Sequence, residues 1–142
     1  MNIYLKRGVS YVISLFLVTL FIVYIFNIPT LLTSANDLVY EYYYKNMISS
    51  FIFDIFLVAF YLSIIMIIIK HIKIKKFEQQ IIISICVTIV ISSIFMKLFN
   101  NGFLEGSFFS RWFKKAGFNA VIYDSILVTL TFILMNFIHN IF

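Results

Sequence analysis

Two aspartates interrupt the most apolar parts of this chain. Asp54 sits in FDIFLV (residues 53–58) and Asp124 in YDSILV (residues 123–128), seventy positions later, and each is followed by the same Leu-Val pair. Positions i, i+3 and i+4 of a helix share a face, so Asp54, Leu57 and Val58 project together, as do Asp124, Leu127 and Val128. A carboxyl group near the middle of a bilayer costs about 2.5 to 3.5 kcal/mol on insertion scales and must therefore face protein or water. Two chemistries fit such a pair. Open to water, the carboxyls form a proton or cation site, with Ser50, Tyr61 and Thr131 on the same faces as polar support. Sealed by packing, each makes an interhelical hydrogen bond worth about 0.6 to 2 kcal/mol. Lys97, near the outer end of the third apolar stretch, is the candidate counter-ion, its long side chain reaching toward either carboxylate.

Composition decides what kind of scaffold holds these groups. With 63% apolar and 12% charged residues and a mean hydropathy of +1.03, the chain lies outside the range of soluble domains. It reads as an all-α integral membrane protein. A hydrocarbon core about 30 Å thick needs roughly 20 apolar residues as helix, and four stretches qualify: 9–28, 46–69, 80–99 and 117–141. Residues 1–142 then form a single membrane domain, a four-helix bundle. Continuous apolar runs without period-two alternation exclude a barrel.

Other chemistries are poorly supplied. Cys86 is the single cysteine, so no intramolecular disulfide, thiolate zinc site or dithiol redox pair exists in one chain. His71 and His139 have no nearby Cys or acidic cluster at metal-ligand spacing. Serines within the spans, Ser92 and Ser93 among them, are expected to bond back to the backbone rather than act as nucleophiles. The expectation is therefore no enzyme, no metal and no cofactor. The net charge of +5 belongs to loops, where it reports topology and lipid contact rather than nucleic-acid binding.

The segments between the first and second and between the third and fourth spans both read as amphipathic helices lying in the interface, about 35–45 and 107–116. In the first, Leu38, Val39, Tyr42 and Tyr43 share a face, with Ser34 as N-cap of a variant capping box closed by Asp37. The second repeats the spacing as Phe108, Phe109, Trp112 and Phe113, with Ser107 as N-cap. Tyr42, Tyr43, Lys45, Trp112, Phe113 and Lys115 are the expected interfacial anchors.

These faces coincide at the same offset as the aspartates, and Lys45 matches Lys115. The pattern suggests an internal duplication: two tandem hairpins of span, interfacial helix and span, about 1–70 and 71–142, related by a pseudo-twofold axis along the membrane normal. Lys70, Lys73, Lys75 and Lys76 crowd the loop between the halves and are candidates for contact with anionic lipids. Together with Lys6 and Arg7 they give that side six cations against five on the other, which favours both termini on the cytoplasmic side or its equivalent, in a host membrane that includes organelle and virion membranes. The sparse polar inventory points to a structural or accessory subunit of a membrane complex, partnered by lipid, by other subunits or by further copies of itself. The alternative is a proton- or cation-coupled transporter or channel working through Asp54 and Asp124.

Overall fold

The structure, a computed structural model, describes residues 2–141. Helix α1 covers Ile3–Thr19, is capped by Asn2 accepting from the Tyr4 N–H at 2.7 Å, and continues as a π-helical turn over Leu20–Ile25. Short helices α2 (Ile28–Thr33) and α3 (Asn36–Tyr40) follow, and α3 runs on as a second π-helical turn, Glu41–Lys45. Helices α4 (Met47–Ile72) and α5 (Phe77–Asn100) form the second and third spans, α6 covers Phe108–Ala116, and α7 covers Phe118–Ile141. Among the described residues there is no strand. Four helices, Ile3–Ile25, Met47–Ile72, Phe77–Asn100 and Phe118–Ile141, are long and apolar enough to cross a membrane. Helix is the form in which such a segment satisfies all its backbone groups internally.

The first span stops earlier than its hydropathy suggests. Asn27 takes a left-handed conformation (φ 56°) and Pro29 lies in the first turn of the next helix. Asparagine tolerates that geometry, and proline starts a helix but cannot continue one. The apolar run through Ile28 is therefore cut at Asn27, and Ile28 opens α2. Ser34 is not the N-cap of α3. It closes α2 in a left-handed conformation (φ 55°), while Thr33 Oγ1 accepts the Ala35 N–H at 3.2 Å. Ser107 does cap α6, accepting from the Ser110 N–H at 3.3 Å.

Helix α7 is central and packs closely against both α1 and α5, while α4 lies beside α5 and α1 meets α4 only sparsely. Small hydroxyl residues account for the close pairs. Ser84, Thr88 and Ser92 recur every four residues on α5 and are fully buried, as are Ser10 and Ser14 on α1. Small side chains let helix backbones approach in a membrane, where lipid supplies no hydrophobic drive for association. Most of these hydroxyls satisfy themselves on the carbonyl one turn back: Ser14 on Ser10 at 2.6 Å, Thr88 on Ser84 at 2.8 Å. Helix α4 has no such stripe, and Ile48, Phe56 and Ile67 leave its outer surface apolar and exposed.

Candidate functional site

The two aspartates are brought to one place. Asp54 on α4 and Asp124 on α7 line a common space of about 30 Å³ beneath the connecting helices. Tyr42 donates a hydrogen bond to Asp54 Oδ1. Ser92 donates to Asp124 Oδ2 at 2.6 Å, so this serine is spent on a carboxylate and not on its own backbone. Asp54 is only 4% exposed, and its Oδ2 has no hydrogen-bond partner among the described residues.

Above the carboxyls sits an aromatic layer supplied by the two connecting helices. Tyr42 stacks on Phe108 at 4.7 Å, Trp112 meets Tyr123 edge-on at 6.1 Å, and Phe99 stacks on Phe113 at 5.7 Å. The Tyr43 and Tyr123 hydroxyls are 2.6 Å apart. The expected faces are thus real, and they turn inward: Tyr42 is 8% exposed and Trp112 5%, with Tyr43 and Phe113 equally buried. Outward positions belong to Tyr40 and Tyr44. Burial, reinforced by the charge of Asp54, holds the Tyr42 phenol above the ordinary tyrosine value and keeps it a donor.

Ion pairs lace the same layer together. Arg111 makes a bidentate pair with Glu41 at 2.8 and 3.0 Å, and Lys115 pairs with Asp37 at 2.6 Å. One turn forward on α3 corresponds to one turn back on α6, so the helices run antiparallel. The hydrogen bond from Lys115 holds Asp37 below the usual carboxylate range, and that from Arg111 does the same for Glu41. Lys45 is exposed.

Lys97 does not serve the aspartates. It is exposed and makes no ion pair among the described residues. Five residues separate it from Ser92, which is about 140° around the helix at 100° per residue, so a face that delivers Ser92 to Asp124 points Lys97 elsewhere. Of the remaining polar candidates, Thr131 bonds back to Leu127 at 2.8 Å. Tyr61 sits with Phe95 and Asp124 around a second cleft, between α4 and α5. Ser50 is buried, its carbonyl 3.4 Å from the Tyr42 hydroxyl.

At the opposite end of the bundle, Arg7, Lys70, Lys73 and Lys75 border a cavity of about 540 Å³ floored by Met66, Ile69 and Phe132. Lys76 is not among its lining residues. Arg7, expected on the same membrane side as these lysines, shares the cavity with Lys70, Lys73 and Lys75 because α1 brings it there from sixty residues away. Ser92 and Glu41 were missed as site residues. The signal for Ser92 was its four-residue spacing with Ser84 and Thr88, and for Glu41 its offset of seventy from Arg111. The chain matches no protein-family model, no curated protein and no solved structure.

Proposed function

We propose that this membrane protein is a structural or accessory component of a membrane assembly, in which the two aspartates lock the connecting helices onto the spans. The observation that carries this reading is the closure over Asp54 and Asp124 on the side of the connecting helices. Tyr42 and Ser92 each occupy an oxygen of one carboxyl, and the space of about 30 Å³ between them has room for roughly two waters, not a conduit. The ion-paired antiparallel helices above it make a lid whose inner face is aromatic and whose outer face is wet. Apolar residues exposed along α4 and α5, such as Phe56 and Ile94, are surfaces for lipid or for neighbouring subunits.

The same proposal takes the chain as a diverged duplication. The Glu41–Arg111 pair joins positions seventy apart, the contact that two copies related by a twofold make on its axis. The spans have drifted further, since α5 packs closely on α7 while their counterparts α1 and α4 scarcely meet. The basic cavity bordered by Arg7, Lys70, Lys73 and Lys75 suits the phosphate of an anionic lipid, and by the positive-inside rule it marks the cytoplasmic face.

Reconstitution separates this reading from a transporter. Proteoliposomes are expected to pass protons and monovalent cations no faster than protein-free vesicles, and Asp54→Asn and Asp124→Asn to lower thermal stability. A flux abolished by both variants, with folding intact, would instead establish proton or cation coupling.

A further inference from the structure

We infer that the cleft between the first and second spans is a binding site for a neutral, hydroxyl-headed amphiphile that enters from the bilayer. This goes beyond the structural role proposed above and does not depend on it.

The cleft, about 240 Å³, separates α1 and its π-helical extension from α4. Its rim residues Phe16, Leu20, Ile48 and Ile52 are exposed apolar side chains on spanning helices, so it opens toward lipid. Inside, four polar side chains break the apolar lining: Tyr24 and Tyr43, whose hydroxyls are already bonded, and Thr19 and Asp54. Thr19 is 6% exposed. Thr19 Oγ1 and Asp54 Oδ2 are both buried without a hydrogen-bond partner. Buried polar atoms are nearly always satisfied, and an orphan calls for an explanation. Two orphans in the wall of one cavity call for a shared one.

Local structure shows that these atoms are left open by the fold. Thr131 and Thr88 bond back to carbonyls four residues earlier, whereas Thr19, the last residue before the π-helical turn Leu20–Ile25, does not. The other π-helical turn, Glu41–Lys45, contributes Tyr43 to the same wall, and the first contributes Tyr24. Such turns are rare and concentrate at functional sites. In the second half, Ser92 serves Asp124, while the residue seventy positions before Ser92 is Ile22, which has no donor to offer Asp54. Tyrosines tie α1 and its extension to the facing elements: Tyr11 donates to the Ile55 carbonyl and Tyr24 to the Tyr43 carbonyl, each at 2.5 Å.

The chemistry of the two orphans selects the ligand head. A hydroxyl can donate to Asp54 Oδ2 and can equally accept from the Thr19 hydroxyl, so one head chemistry suits either orphan. A hydrocarbon leaves both unmet, a carboxylate adds a second negative charge beside Asp54, and an ammonium has no lone pair for Thr19. An apolar cavity of roughly 150 Å³ already takes up benzene, so the cleft admits a ring or a length of chain behind the head.

Photolabelling tests this. The protein in lipid nanodiscs is irradiated with a diazirine-bearing long-chain alcohol, with dodecanol, dodecane or dodecanoate as competitor, and the labelled residues are mapped by mass spectrometry. Saturable labelling of Phe16, Phe51 or Ile52 is expected, displaced by the alcohol in preference to the other two. Thr19→Val, close in shape, should raise the alcohol concentration for half-displacement roughly threefold to tenfold. Equal displacement by all three competitors, or a Thr19→Val protein indistinguishable from the parent, would overturn the site and leave an unselective acyl-chain groove. Should Thr19→Val not fold, Ile52→Trp, which fills the cleft from the lipid side, must abolish the labelling, and its persistence is equally fatal.

Discussion

The phenol of Tyr42 donates to Oδ1 of Asp54, twelve residues away, and so ties the connecting helix to the second span at a buried point. Removing the donor strands a second oxygen of a buried carboxyl group. Tyr42→Phe is expected to destabilise the fold by about 1 to 3 kcal/mol. Asp54→Leu in the Tyr42→Phe background should recover part of that loss, because an apolar pair leaves no orphan. Thermal unfolding in one detergent decides it; a double variant no better than the single would refute the stranded-oxygen account.

Ser92 and Lys97 give opposite expectations for the third span. Ser92→Ala removes the donor to Asp124 and should cost about 0.6 to 2 kcal/mol, the range for interhelical hydrogen bonds in membranes. Lys97→Ala, at an exposed position, should change stability by no more than about 0.5 kcal/mol. A larger loss at Lys97 than at Ser92 would reverse the assignment of the Asp124 partner.

Acid should loosen the ion-paired layer. Asp37 and Glu41 titrate below their ordinary values because Lys115 and Arg111 donate to their charged forms. A lowered folded-state value means that the stabilisation is present above the unfolded-state value, about 4 for these side chains, and is lost as pH falls below it. Trp112 is the single tryptophan and lies under this layer, so its emission is expected to shift to the red below about pH 4 and to hold steady between pH 5 and 8. Exchanging the charges, Glu41→Arg with Arg111→Glu, should keep the transition, while either change alone should expose Trp112 at neutral pH.

The approach of α5 to α7 relies on small side chains. Thr88→Leu, at a fully buried position, should overpack the contact and destabilise by about 1 to 3 kcal/mol. Val90→Leu, on the exposed face of the same helix, serves as the matched control and should be near neutral. Equal effects in a denaturation series would mean that the Ser84, Thr88 and Ser92 stripe does not set the spacing.

The four spans were legible because a continuous apolar run long enough to cross a bilayer has one backbone solution. That Leu38, Val39, Tyr42 and Tyr43 share one helical face was legible too, but the expectation placed that face in the headgroup layer, whereas all four are buried against the protein. What the spacing could not tell was which apolar phase they enter, since an aromatic stripe suits a headgroup layer and a protein core alike. The break at Asn27 was hidden by hydropathy, although Asn followed by Pro29 is a helix-stop signal. The π-helical turns have no sequence signature at all. Arg7 joining Lys70, Lys73 and Lys75 depends on which helices are neighbours, and in a chain so uniformly apolar that is set by the few small residues. Lys97 failed as a counter-ion for an angular reason, its five-residue separation from Ser92.

The centrality of α7 bears on how the chain is made. Helix α1 finds its main partner in α7, which is synthesised after the other three candidate spans, and α5 waits for the same helix. Until residue 118 and beyond are synthesised, the serine stripes of α1 and α5 face lipid with nothing to meet. Packing of these helices therefore waits on α7, and a ribosome stalled before it should leave three helices that quality-control proteases recognise by their unpaired small-residue faces.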